Sequence, residues 1–467
     1  MTRVHAFSGD AALGHHDAVG LADELAAGRV TIPDLVAAAI ARTEAVDGRL
    51  GAVAHADYDG ARERAADPRG GFFAGIPTFV KDNVDVAGMP TMHGTDAWEA
   101  RPRPVDGDFA RMYLATGLLP LGKTQLSEFG LSASAEHPRL GPVRSPWSLD
   151  HTAGASSAGS AALVAAGAVP IAHANDGGGS IRIPASVNGL VGLKPTRGRL
   201  AQDAMNRQMP VRIVSDGVLT RSVRDQAAFY REAERVYRNL RLAPLGDVTG
   251  PGRTRLRIAV VTDGIGRSAS PEVTELTLRT ASLLEELGHH VTAIDNLLPA
   301  HLRDDFLLYW AFLALATVRG GRRTFGPSWD PGQLDNLTHG LARHAAKRLH
   351  RLPGAIRRLR GTTSFSTSFF ADHDVLLTPT LATETPTLGH LAPTADYDTI
   401  MDRLLEWVAF TPLQNATGEP AISLPLAESA SGLPIGMMFA APVGHEARLL
   451  ELAYELEEAQ PWRRIQA

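Results

Sequence analysis

The segment Asn175-Asp176-Gly177-Gly178-Gly179-Ser180-Ile181-Arg182 constrains this chain more than any other. Three glycines end on a serine there, and an arginine follows. The apolar run 169–174 just before them reads as a buried strand that opens into a glycine-rich loop. Upstream lies a second such cluster, Gly154-Ala155-Ser156-Ser157-Ala158-Gly159-Ser160. Active-site loops commonly follow strands in this way in α/β folds, which is the class to expect. Glycines before a serine leave several backbone N–H groups free to point at one spot. A hydroxyl that attacks a carbonyl needs such donors for the oxyanion it creates. The segment thus points to acyl transfer, but it contains no base.

Composition marks candidates for that base. Lys and Arg total 46, yet only Lys81, Lys123, Lys194 and Lys347 are lysines. A lysine that persists under so strong a bias toward arginine marks places where Arg cannot serve. One such place is a site that needs a neutral amine, because Arg stays protonated while a buried Lys can lose its proton. Lys347 lies in the basic run 343–351 and reads as a surface residue. The other three sit in apolar or Gly/Pro-rich surroundings.

At 467 residues the chain can hold two or three ordinary domains or one large α/β domain. A net charge of −5 with mixed signs argues against nucleic acid or an anionic membrane as partner. The absence of cysteine excludes thiol catalysis, disulfides and Cys-ligated zinc. Residues 1–20 lack the apolar core of a secretory signal. The weakly polar run 160–174 is too short to span a bilayer and is broken by Pro170. The chain therefore reads as a soluble cytoplasmic protein.

Helices are expected first: Thr31 caps one, with Pro33 in its first turn. Strands are expected at 79–80, 118–121 and 169–174. A βαβ unit follows, with a strand at 256–261, a helix from Ser270-Pro271 to Gly288, and a strand at 291–294. Residues 300–370 read as helical, and strands return at 375–377 and 421–424. No internal repeat or long linker breaks the chain.

Several motifs fail on physical grounds. Gly117 to Thr124 satisfies the P-loop pattern only formally, because four apolar residues fill what should be an open cradle of N–H groups. That run reads better as a strand ending at Gly122. Gly264-Ile265-Gly266-Arg267-Ser268-Ala269 follows a strand, but the helix starts after the motif, away from where a pyrophosphate would sit. His15-His16 and His289-His290 are adjacent pairs whose rings diverge, and no helical His-Glu-x-x-His occurs, so metal binding is unsupported. Gly-x-Ser-x-Gly and Ser-x-x-Lys are both absent. Lys81, in Gly75-Ile76-Pro77-Thr78-Phe79-Val80-Lys81-Asp82-Asn83, ends an apolar strand. Taken alone, it reads as paired with Asp82 or Asp85.

Together these pieces resemble the amidase signature family closely. Lys81 precedes Ser156 by 75 positions and Ser156 precedes Ser180 by 24, which suits that family's Ser–cis-Ser–Lys triad. Gly122-Lys123-Thr124, Gly192-Leu193-Lys194-Pro195-Thr196, Leu377-Thr378-Pro379-Thr380, Phe410-Thr411-Pro412 and Gly418 to Pro425 extend the likeness over roughly residues 17–460. Within the family the chain looks most like actinobacterial amidases. His173-Ala174-Asn175-Asp176 is similar to the 6-aminohexanoate cyclic dimer hydrolases. Ala155 and Ala158 replace glycines of the usual pattern, yet both hydroxyls remain.

The resemblance implies one large α/β/α domain over residues 1–467, built around a mixed sheet. Residues 72–200 would be its catalytic core, and 300–370 a helical cover over the substrate entrance. It implies Ser180 as nucleophile, Ser156 as proton relay with a cis peptide, and Lys81 as neutral base. Backbone N–H groups of Gly177, Gly178, Gly179 and Ser180 would form the oxyanion hole. Ser157, Asp176 and Arg182 would brace the loop, and Phe129 and Leu131 would line an apolar acyl pocket. A lysine with the ordinary pKa of ~10.4 is almost wholly protonated at pH 7. A fall of about three units, or roughly 4 kcal/mol, is within what burial can do.

The expected reaction is hydrolysis of a small-molecule amide with no metal or organic cofactor, and homodimers are common in the family. Two other readings remain open: a transamidase of the type that acts on aminoacyl-tRNA, weakened by Ile183 where such chains commonly have Gln, and a degenerate amide-binding protein.

Overall fold

A computed structural model describes residues 2–7, 12–264, 267–295 and 301–466. Its centre is a mixed sheet of eight strands. In spatial order they are His290–Ala293, Arg257–Val260, Val375–Pro379, Pro434–Ala440, Ala421–Glu428, Val191–Lys194, Ser215–Thr220 and Ile171–Asp176. The first three run parallel to one another and the remaining pairings are antiparallel. The parallel part is the expected βαβ unit. Its helix, Pro271–Glu286, is capped by the Ser270 hydroxyl, with Gly288 at φ +90 just past its end. Of the Gly264–Ala269 motif, Ile265 and Gly266 lie outside the described residues.

A second sheet holds Val53–Ala56, Leu119–Thr124 and Pro77–Lys81. It is joined to the edge of the large one by side chains. Thr78 Oγ1 donates to Ile171 O at 2.8 Å, and the Lys81 N–H donates to His173 Nδ1 at 3.2 Å. The end of Pro77–Lys81 therefore lies beside the end of Ile171–Asp176, which opens into the glycine loop.

The strand expected to end at Gly122 instead runs on through Lys123 and Thr124. A Cβ at Gly122 would sit 2.1 Å from His55 O. The glycine therefore serves the close approach of two strands and does not break one. Thr31 caps Ile32–Leu50 as expected, accepting the Asp34 N–H.

Two short helices follow the two serine loops, Ala158–Ala165 and Arg182–Asn188, and every residue in both is buried. That explains why Ala158–Ala165 carries no charge and a single polar side chain, Ser160. The region expected to be helical holds His301–Phe325, Asn336–Arg348 and Leu352–Asp372. The first two pack with Tyr397–Trp407 over a small core of their own. Leu315, Leu341 and Trp407 meet Leu131 and Ile183 there. No described helix is long and apolar enough to cross a membrane.

Candidate active site

Three of the four lysines are buried: Lys81 and Lys123 at 0 % and Lys194 at 1 %, whereas Lys347 is exposed. Lys81 does not pair with Asp82 or Asp85. Asp82 takes Lys123 at 3.2 Å, and Asp85 takes Arg103 at 2.8 Å. That leaves Lys81 Nζ with uncharged partners, Ser156 Oγ and Asn175 Oδ1, each at 2.7 Å. Burial pushes the Lys81 amine down to about 7, against the pull of the Asp216 and Asp176 carboxylates. The Ala155–Ser156 peptide is cis.

Ser156 and Ser180 line the same cavity, of ≈ 490 Å³. The geometry joins Lys81 to Ser156 by a hydrogen bond. Among the described residues, none joins Ser156 to Ser180.

The glycine loop is held from behind. Asp176 and Arg182 are both fully buried, and the Arg182 Nε and Nη2 donate to the two Asp176 oxygens, each at 2.9 Å. Burial alone would raise the Asp176 carboxyl, but the Arg182 charge and hydrogen bonds hold it at about 2. Asp176 Oδ1 also accepts the Gly179 N–H at 2.7 Å, and Oδ2 accepts the Ile181 N–H at 3.2 Å. This corrects the expected oxyanion hole. The Gly179 N–H is committed to Asp176, whereas those of Gly177, Gly178 and Ser180 meet no acceptor among the described residues. Gly179 has φ +138, and a Cβ there would lie 2.4 Å from Thr411 Oγ1. Ser157 Oγ donates to Ser180 O at 2.6 Å and lies 3.3 Å from Asn175 O, so it ties the two loops together.

Phe129 and Leu131 line the cavity, as does Ile183. Helix His301–Phe325 adds Phe306, Leu307, Trp310, Leu313 and Phe325. Leu404, Leu405 and Val408 add a wall that no sequence signal marked. Of the helices within the expected cover, residues 300–370, His301–Phe325 contributes lining residues and the two described after it do not. Among the described residues, His93 and Phe129 carry the two positive φ values outside glycine, 57 and 49. The Phe129 N–H donates to His93 O at 2.9 Å, so the two hold each other at the cavity wall.

Further residues of the site come from far along the chain. Arg182 also reaches Gln414 Oε1 at 2.9 Å and Asn415 Oδ1 at 2.7 Å. Asn415 Nδ2 donates to Asp176 O at 3.0 Å, and Thr411 Oγ1 donates to Gly178 O at 2.6 Å. Thr411 alone of these lies in a motif visible in the sequence, Phe410-Thr411-Pro412.

One cluster has the composition of a metal site. Glu128, His137 and Asp335 are buried, with ligand atoms within 4.8 Å of one another. The imidazole does not fit that role. His137 Nδ1 accepts the N–H groups of Arg139 at 3.2 Å and Leu140 at 2.9 Å, which puts the ring proton on Nε2. A neutral ring so held offers no free nitrogen to a cation, and the set reads as a proton-bearing structural cluster. It anchors the turn Glu128–Gly130: Glu128 Oε2 accepts the Asp335 N–H at 2.9 Å and the Thr338 hydroxyl at 2.6 Å.

The same architecture occurs in known proteins. The Amidase family model matches residues 34–450. The chain belongs to the amidase signature family. It is similar to a Mycobacterium leprae protein that bears the name amidase AmiC, with 64% identity over 467 residues and 100% and 99% of the two chains covered. It is also similar to the 6-aminohexanoate-cyclic-dimer hydrolase of Paenarthrobacter ureafaciens, at 31% identity over 96% of this chain and 95% of that one. A solved structure of 6-aminohexanoate cyclic dimer hydrolase superimposes with a TM-score of 0.86 at 30% identity, covering 97% and 98% of the chains. A bacterial aryl acylamidase of the amidase signature family gives 0.86 at 27%, covering 96% and 97%. A glutamyl-tRNA(Gln) amidotransferase chain of Thermotoga maritima, at 24% identity and a TM-score of 0.76 over 96% and 94%, shares the fold. The protein is an enzyme that hydrolyses amide bonds.

Proposed function

We propose that this amidase works through an acyl-enzyme on Ser180, with Ser156 as proton relay and Lys81 as neutral base. The observation that carries this reading is the 2.7 Å contact from Lys81 Nζ to Ser156 Oγ, on the wall of the cavity that Ser180 shares. Lys81 takes the Ser156 proton as Ser156 takes that of Ser180. The Ser180 oxygen then bonds to the amide carbon. The N–H groups of Gly177, Gly178 and Ser180 supply the oxyanion donors, each typically worth about 3 kcal/mol. The leaving amine regains the proton through Ser156, and water cleaves the ester by the same relay.

The mostly apolar cavity favours linear or small cyclic amides with sizeable apolar groups over short polar ones. The name of the cyclic-dimer hydrolase relative agrees with that choice. In this reading the enzyme acts in the cytoplasm without a cofactor.

The test is a panel of amides with hydroxylamine, together with a fluorophosphonate probe read by intact mass. Wild type is expected to form hydroxamate and take up one label, and Ser180→Ala to do neither. Full activity in Ser180→Ala would sink the proposal.

A further inference from the structure

Among the described residues, Lys81 Nζ makes three polar contacts. Ser156 Oγ and Asn175 Oδ1 lie at 2.7 Å, and the Asn175 carbonyl makes a longer contact at 3.4 Å. Both Asn175 oxygens are acceptors only. A neutral amine has two hydrogens and one lone pair. If Asn175 takes both hydrogens, the lone pair is left for the Ser156 hydroxyl proton, which is the direction a base requires. Turned over, the Asn175 amide would donate to that lone pair, and the amine would donate to Ser156 instead.

Asn83 couples that turn to one of its own. Its Nδ2 donates to Asn175 Oδ1 at 3.2 Å, and its Oδ1 accepts from Asn175 Nδ2 at 3.0 Å. Within such a reciprocal pair, neither amide can turn alone without setting donor against donor. We propose that Asn83 and Asn175 form a positioning pair that aims the Lys81 lone pair at Ser156. The inference rests on Lys81 being the base.

The charged groups around Lys81 stand further off. Asp216, on Ser215–Thr220, and Asp176 favour its protonated form from a distance. Asp216 also faces His173 at 3.3 Å, and Asp82 is taken by Lys123. Among the described residues, no carboxylate reaches Nζ. Amide partners thus position the amine without holding its proton, as a carboxylate would.

That contrast supplies the experiment: pH profiles of kcat/KM and kcat for wild type, Lys81→Met, Asn175→Asp, Asn83→Asp and Asn83→Leu, each checked by thermal melting. Asn175→Asp sets a carboxylate on Nζ and is expected to move the limb up by about two units, with activity recovering at alkaline pH. Asn83→Asp still accepts from Asn175 Nδ2. It should shift the limb by about one unit and keep the wild-type plateau in kcat. Asn83→Leu unlocks the amide and should lower that plateau about tenfold, with KM little changed.

Asp variants that leave the limb in place, or a wild-type plateau in Asn83→Leu, would overturn the positioning pair. If Asn83→Leu fails to fold, the limb in the two Asp variants decides. Failure of the base reading looks different: Lys81→Met stays active, or wild type has no limb at all.

Discussion

Replacing Arg182 with leucine removes the guanidinium that faces Asp176 while leaving a similar apolar volume. Both groups are fully buried, so solvent does not screen the loss. Removing one partner of a buried pair typically costs 3–5 kcal/mol. Asp176 keeps the Gly179 N–H, the Ile181 N–H and Asn415 Nδ2, at 2.7, 3.2 and 2.9 Å, but Gln414 Oε1 and Asn415 Oδ1 lose the guanidinium donor, which places the cost mid-range, about 4 kcal/mol. An unfolding entropy of about 2.1 cal/mol/K per residue makes this a fall in Tm of about 4 °C for a chain of this size.

The pH dependence has a definite sign. In wild type the Asp176 carboxyl lies at about 2, below its unfolded value, so its contribution is present above pH ~4 and lost as the pH falls through 2. In the variant, burial is no longer opposed by Arg182 and the carboxyl rises. The variant then loses stability as pH increases, and its gap to wild type is widest at neutral pH.

Asp176→Asn in the Arg182→Leu background removes the stranded charge and is expected to restore at least half the loss. The assay is chemical denaturation at pH 7 with melting curves from pH 4 to 8. A single variant within about 1 kcal/mol of wild type, or a double variant no more stable than the single, would refute the reasoning.

With Lys81 at about 7 and needed neutral, kcat/KM should rise with pH to a plateau above that value, and a flat profile from 6 to 9 would contradict it. Gly179→Ala forces a Cβ into Thr411 at φ +138 and should cut turnover about a hundredfold by displacing Ser180, measured by steady-state hydrolysis. Thr411→Val leaves Gly178 O without its 2.6 Å donor and should lower Tm by about 1 °C, from a lost, partly buried hydrogen bond of roughly 1 kcal/mol, with a larger effect on kcat than on KM. Because the His137 tautomer leaves no nitrogen for a cation, prolonged chelation should leave activity and melting temperature unchanged.

Much of the site was legible because its loops obey local rules. The serine loops could be placed because glycine runs end strands, and Thr31 and Ser270 could be assigned because cap chemistry acts within three residues. Lys81 stood out by rarity. Gly122 misled because a glycine that breaks a strand and one that lets two strands touch look identical until the neighbour, His55, is known. The Gly179 N–H looked free for the same reason: its acceptor lies only three residues away, but Arg182 and Asn415 orient that carboxylate.

The sequence by itself therefore determined the α/β class, the two serine loops and the scarce lysine, all of which follow from backbone preferences and composition. Tertiary structure decided how these parts meet. It laid Pro77–Lys81 beside Ile171–Asp176, so that an amine and a hydroxyl 75 positions apart come within 2.7 Å. It also brought Gln414 and Asn415 across more than 230 positions to the loop guanidinium. The physical reason is range. Dihedral and capping preferences act over a few residues. Which buried polar group receives which partner is settled only when sheet register and packing close, because each must then be paired inside the protein.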